Sequence, residues 1–164
     1  MKASLPARSL SIHGFLDDAL IIPDLRASER ESALREMIRH LSVRDRRFSG
    51  KELFQKLLER ERLGSTAVGD GYAIPHCRLK ALDEPMVLLA VSRQGVAFEA
   101  VDRKPVHIFF LVVTPAENPD LNLQILAALA YLIRRSPSLL KKMRKARDAA
   151  ALRAMIREEE EKAP

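Results

Sequence analysis

Residues 106–113 read Val-His-Ile-Phe-Phe-Leu-Val-Val, and this run decides the architecture. It is β-branched and aromatic, and apart from His107 it is apolar at odd and even positions alike. A strand with one wet face would alternate, so this one predicts a strand covered on both sides by helices. Met86 to Ser92 gives a second buried strand, followed by a turn at Gln94-Gly95 and a short extended piece from Val96 to Phe98. Upstream, residues 64–79 read GSTAVGDGYAIPHCRL, with Gly64, Gly69 and Gly71 within eight residues, which favours short strands joined by tight turns.

Helical patterns lie on either side of these strands. Ser28 and Glu31 form a capping-box pattern, and Leu34, Met37, Ile38 and Leu41 then recur on one face, predicting a helix over 28–41. Ser49 and Glu52 repeat the box, Leu53, Phe54, Leu57 and Leu58 form the stripe, and Leu63-Gly64 stop the helix. Asn118-Pro119-Asp120 opens a third helix to about Ile133, apolar almost all round and so expected to be buried. Ser136-Pro137 begins a fourth, and Asp148 caps a fifth with Leu152, Met155 and Ile156 inward. Residues 1–27 read as irregular or partly extended, with Ile21-Ile22 the strong apolar step. The order predicts a three-layer α/β sandwich, a small mixed β-sheet flanked by helices on both faces. It occupies residues 1–157 as one domain, with 158–164 a frayed acidic tail.

Composition narrows the function. With 164 residues, 47% hydrophobic and 30% charged, the chain reads as one globular domain. Its longest apolar runs, Met86 to Val91 and Ile108 to Val113, are far too short to span a membrane, and the N-terminal stretch lacks the apolar centre of a secretory signal. A cytoplasmic protein without membrane insertion is the expectation. One cysteine, Cys77, leaves neither an internal disulfide nor a Cys-rich zinc site, and the four histidines lack metal-ligand spacing. There is no phosphate-binding Gly-Lys-Ser/Thr loop, dinucleotide fingerprint or Gly-x-Ser-x-Gly elbow, which disfavours nucleotide-using enzymes and hydrolases. The net charge of +6 is local: seven basic residues and no acidic ones fall between Arg134 and Arg147, leaving the remainder at −1. That patch is either a solvated helix face or a site for an acidic partner. Nucleic acid is not the expected ligand, because no aromatic side chains interleave the charges.

His76 is the candidate reactive group. Pro75 fixes the backbone before it, and the Gly69-Asp70-Gly71 turn permits close approach of another chain. On the residues alone, His76 is either a preoriented nucleophile or a half-buried histidine bonded to backbone. His107, inside its strand, reads as a bonded sheet-face histidine, and His13 and His40 have no supporting constellation.

Residues 60–76, RERLGSTAVGDGYAIPH, resemble the active-site signature of the enzyme IIA domains of the fructose–mannitol class, from the bacterial phosphoenolpyruvate-dependent sugar phosphotransferase system. Arg60-Glu61, Thr66, Gly69 and Ala73-Ile74-Pro75-His76 carry the match. The Pro-Val-His-Ile-Phe-Phe-Leu strand, the Leu-Gln-Ile-Leu-Ala-Ala-Leu-Ala helix and Asp24-Leu25-Arg26-Ala27-Ser28 extend it to residues 10–157. With no membrane segment or fused domain in this sequence, the likeness is greatest to the nitrogen-regulatory branch.

The resemblance implies a phosphotransferase: a phosphocarrier whose histidine, here His76, takes a phosphoryl group through Nε2 from an HPr-like donor. Transport members pass it to an enzyme IIB. Regulatory members bind target proteins according to the phosphorylation state. A non-catalytic binding module with the same fold, docking partners through the basic helix after Ser136, is the alternative. There, phosphorylation at His76 would reverse the charge of the interface.

Arg60, with its planar fork, is suited to phosphoryl oxygens. Thr66 offers a hydroxyl, and Asp70 stands where transport members carry an acidic residue. The anion would be held by backbone N–H groups around the Gly69-Asp70-Gly71 turn or at the helix after Asn118. No metal, nucleotide or other cofactor is implied. Asn122 stands where many members have a second histidine, and it can donate a hydrogen bond but carries no charge. Cys77 stands where the family usually has glycine, and reads as a small filler.

Overall fold

A computed structural model describes residues 10–162; residues 1–9, expected to be irregular, and the last two lie outside it. Two 3-10 turns, His13–Phe15 and Asp18–Leu20, lead into β1 (Ile21–Ile22), then α1 (Arg30–Arg44) and α2 (Gly50–Arg62). The glycine-rich stretch forms β2 (Ala67–Gly69), β3 (Tyr72–Ala73) and β4 (His76–Leu79). Long strands β5 (Met86–Val96) and β6 (Val106–Pro115) follow, then α3 (Pro119–Arg135), α4 (Leu139–Lys145) and α5 (Ala149–Glu161).

The six strands form one mixed sheet in the order β1-β5-β6-β3-β2, with β4 also paired to β6. β6 is central, antiparallel to β5 and parallel to β3 and β4. Its residues Ile108 to Val113 are all 0% exposed, so both faces are covered. Phe109, Leu111 and Val113 pack with the core residues of α1 and α2, whereas Ile108, Phe110 and Val112 pack with those of α3, α4 and α5. Each such side chain contributes about 1.5–3 kcal/mol on burial, which is why continuous apolarity forces three layers.

β3 and β4 share one edge of β6, with Tyr72 opposite Ile108 and His76 opposite Val112. Ile74-Pro75 interrupts them. Proline has no N–H to give a ladder, but its carbonyl accepts from Val112 N–H at 2.9 Å, and Ile74 N–H donates to Thr66 O at 3.0 Å. The chain between the two short strands is therefore pinned on both sides.

Four expectations change. Ser28 does not cap α1: its carbonyl accepts from Ala97 N–H at 2.9 Å within a parallel bridge, so the helix begins at Arg30 after Glu29, with no side-chain cap. Gln94-Gly95 is not a turn but part of β5, where the register against β6 shifts between Val91 and Val96. Gly95 adopts φ +91°, and a Cβ there would stand 2.8 Å from Pro105, so the bulge needs glycine. α3 buries Ile125, Ala128, Leu129 and Leu132 but leaves Leu123 65% exposed. The acidic end is not frayed at 158: α5 continues to Glu161. There the buried Glu159 accepts the Ser136 hydroxyl at 2.9 Å, and Glu160 accepts the Ile12 and His13 backbone N–H groups at 2.7 and 2.8 Å.

Candidate functional site

His76 opens β4 where the Pro75 carbonyl ties the chain to β6, at the mouth of a cleft of about 710 Å³. Its Nδ1 lies 2.7 Å from the Ile74 carbonyl oxygen. A carbonyl only accepts, so Nδ1 carries the proton and Nε2 keeps its lone pair. Burial lowers the ring's pKa below the ordinary histidine value of 6.5, and the positive charge of Arg60 acts in the same direction. The Ile74 bond and the charge of Glu61 oppose this without reversing it. The half-buried ring is therefore neutral at pH 7, with a nucleophilic nitrogen.

Three elements build the surroundings. The last turns of α2 bring Lys56, Arg60 and Leu63, the start of α3 brings Pro119, Asn122 and Leu123, and β4 with the residue after it brings Arg78 and Lys80. α2 ends where it does because Arg60 Nη1 donates to the Gly64 carbonyl at 2.8 Å and Gly64 N–H bonds Glu61 O. Among the described residues none of Lys56, Arg60, Arg78 and Lys80 forms an ion pair, and Glu59 is the acidic residue on the rim. Four cations against one carboxylate suit a dianionic group.

Asn122 is held in place. The Thr114 hydroxyl, fully buried at the end of β6, donates to Asn122 Oδ1 at 3.1 Å, which leaves the amide N–H groups as donors at the cleft. Asn118 Oδ1 accepts from Leu121 N–H at 3.2 Å, so the positive end of the α3 dipole lies beside the same cleft. Thr114, Lys56, Arg78 and Lys80 were not singled out from sequence. Thr114 looks like any strand-end threonine until the short connection from β6 to α3 returns Asn122, eight residues on, to it.

Thr66 and Asp70 do not join this group. Thr66 is 4% exposed, and its hydroxyl and N–H both donate to the carboxylate of Glu61, itself 3% exposed, so neither reaches the cleft. Asp70 sits in the β2–β3 turn with φ +54°, its N–H bonded to Asp102 Oδ2 at 3.1 Å. That turn belongs to the Ile108 end of β6 whereas His76 pairs with Val112, four residues or about 13 Å along the strand. Of the two anion cradles expected from sequence, the α3 end adjoins His76 and the glycine turn does not.

The basic patch is also remote. Leu140 of α4 packs on Gly71, whose carbonyl accepts from His107 N–H, five residues from Val112. About 16 Å separates that end of the sheet from His76, beyond the screening length of roughly 8–10 Å. A charge added at His76 does not reverse the potential over α4.

His107 Nδ1 donates to the Ser92 carbonyl at 2.8 Å, a bonded sheet-face histidine. Burial pushes the Cys77 thiol up to about 12, which keeps it an un-ionised filler beside His76. Among the described residues no group of three or more His, Cys, Asp or Glu side chains is placed to hold a metal, and no helix is long and apolar enough to cross a membrane.

Comparison with known proteins gives a consistent picture. The family model described as "Phosphoenolpyruvate-dependent sugar phosphotransferase system, EIIA 2" matches residues 14–159. A "Nitrogen regulatory protein" of Bradyrhizobium diazoefficiens is 35% identical over 139 residues, covering 83% of this chain and 88% of that protein. A "PTS system fructose-specific EIIA component" of Haloferax volcanii is 43% identical over 74 residues, covering 45% of this chain and 48% of that one. The crystal structure of the nitrogen regulatory protein IIA-Ntr from Neisseria meningitidis superposes with a TM-score of 0.81 at 28% identity, over 88% of this chain and 98% of that one.

Proposed function

Since this chain belongs to the EIIA type 2 family of the phosphoenolpyruvate-dependent sugar phosphotransferase system, and is thereby a phosphotransferase and phosphocarrier, we propose that the accepting atom is Nε2 of His76. The observation that carries the reading is the Nδ1–H bond to the Ile74 carbonyl, which fixes the tautomer and leaves Nε2 as the nucleophile.

The donor is the phosphohistidine of an HPr-like protein. Its N–P bond breaks as the His76 Nε2–P bond forms, and the donor ring, protonated on its other nitrogen, leaves as a neutral imidazole. His76 retains its Nδ1 proton against Ile74, so the phosphorylated ring is cationic and its charge is shared with that carbonyl. The loose transition state spreads negative charge over three equatorial oxygens, and catalysis consists of positioning and neutralisation. Arg60 supplies a guanidinium fork, and the Asn122 amide and the α3 N-terminus supply neutral donors. Thr66 and Asp70 do not touch the phosphoryl group.

The likeness to nitrogen regulatory proteins supports a regulatory branch in the cytoplasm, in which the phosphorylated and unphosphorylated forms engage a target protein differently. An enzyme IIB as acceptor is the competing output. Incubation with phosphoenolpyruvate, enzyme I and an HPr-type protein is expected to add one phosphoryl group to the wild type and to His107→Ala, and none to His76→Ala. Equal labelling of both variants would remove the mechanism.

A further inference from the structure

The antiparallel pair α1–α2 carries a groove of about 990 Å³ on the outer side of the molecule, larger than the His76 cleft. A Cβ on Gly50 would stand 3.4 Å from Ile38, whereas further along α2 the large Phe54 ring and the Arg35 side chain fill the gap.

Two features of its lining are unusual together. The floor is apolar, made by Ile38, Leu58 and the half-buried ring of Phe54, over which the Arg35 guanidinium lies 3.9 Å from the centroid. The walls are basic: Arg35, Arg39, Lys51 and Arg62 are all exposed, and among the described residues none forms an ion pair. One acidic residue, Glu59, faces them. Arg26 and Arg47, by contrast, each have a carboxylate partner, Asp24 and Asp45.

The spacing of the cations selects the ligand class. Arg35 and Arg39 lie one turn apart on α1, and Lys51 and Arg62 lie eleven residues apart on α2, about 16 Å along the axis. Charges spread over that length do not converge on one phosphate or carboxylate. They flank a long occupant on both sides while the aliphatic and aromatic floor takes its middle. We propose that this groove docks an amphipathic helix of a partner protein, with an apolar ridge on Phe54 and acidic residues along its flanks. The mode is helix-in-groove, with rim charges setting encounter and register and the buried ridge supplying most of the affinity. The groove adjoins the His76 cleft, with Glu59 on the rim of both, but does not contain His76, and its docking role goes beyond the phosphocarrier reading.

The test uses the full chain and a synthetic peptide of about 16 residues, long enough to lie along the groove at 1.5 Å per residue. Leucines stand at i, i+3, i+4 and i+7, with glutamates beside them. Backbone amide shifts on titration are expected in α1 and α2, weakening with salt. A scrambled peptide of the same composition, and the Arg39→Glu/Lys51→Glu double variant, are each expected to bind roughly tenfold more weakly or worse, since the peptide loses its ridge or its flanking charges. Arg134→Glu/Lys141→Glu on the other basic surface is expected to bind as wild type does.

Equal binding of the scrambled peptide, or shifts confined to α4, would overturn the proposal. So would an oligonucleotide that produces the same shifts, or self-association that protects α1 and α2. Phosphorylation at His76 is expected to persist in the groove variant, so failure of the groove and failure of the phosphocarrier reading are read separately.

Discussion

Replacing Thr66 with valine removes one hydroxyl and preserves the branched shape. In the structure that hydroxyl donates to the Glu61 carboxylate, and both residues are nearly inaccessible, 4% and 3% exposed. A hydrogen bond to a charged group contributes about 1.5–3 kcal/mol, and burial removes the option of replacing it with water. The Thr66 N–H bond to Glu61 at 3.0 Å survives the substitution, so the carboxylate is not orphaned. The expected cost is about 2 kcal/mol, which at a urea slope near 2 kcal/mol per molar lowers the unfolding midpoint by about 1 M. Once folded, the variant is expected to accept the phosphoryl group at the wild-type rate, because Thr66 does not touch it. Urea unfolding and the rate of label uptake from the HPr-type donor are the two assays. An unchanged midpoint with transfer slowed by about tenfold or more would contradict a hydroxyl committed to Glu61, because that pattern belongs to a hydroxyl that donates to phosphoryl oxygen.

Asn122→Ala removes one donor to an anionic group and is expected to slow transfer by roughly 10–100-fold. Thr114→Val, which frees Asn122 to rotate, is expected to give part of that loss, and the double variant no more than Asn122→Ala alone; additive effects in single-turnover assays would separate the two residues. Burial holds His76 below the ordinary histidine pKa, so as pH falls the unfolded chain takes up the proton first. Stability is therefore expected to decline as pH drops through about 6.5, less steeply in His76→Gln; identical urea-midpoint profiles from about pH 7.5 to 5.5 would contradict this. The Cys77 thiol, pushed up to about 12, is expected to react with an alkylating reagent at about pH 8 far more slowly in the native protein than in urea. Equal rates would place it in a different environment.

What could be read from the chain was local or periodic. The continuous apolarity of Ile108 to Val113 implied two covered faces, and Ser49, Asn118 and Asp148 cap their helices as their positions suggested. His76 stood out through the proline before it and the glycines around it, and Arg60 and Asn122 line its cleft. What could not be read depended on partners distant in sequence. Ser28 has the right neighbours for a cap, but Ala97 takes its carbonyl. Thr66 and Asp70 lie within ten residues of His76, yet a buried glutamate claims one and the direction of β3 carries the other to the far end of the sheet. Glu159 and Glu160 looked like solvated charge and are ordered by Ser136 and by the backbone of Ile12 and His13. Thr114, which orients Asn122, gave no sequence signal.

The proposed reaction delivers a phosphoryl group to one nitrogen of one ring, Nε2 of His76. Long-range proton–nitrogen NMR on the ¹⁵N-labelled phosphoprotein, read beside its intact mass, tests this directly. A single phosphoryl group is expected, with a phosphorus-bonded Nε2 on His76 and an Nδ1 that still carries its proton toward the Ile74 carbonyl. Phosphorylation at Nδ1, or on another residue while His76 remains a free imidazole, would contradict it.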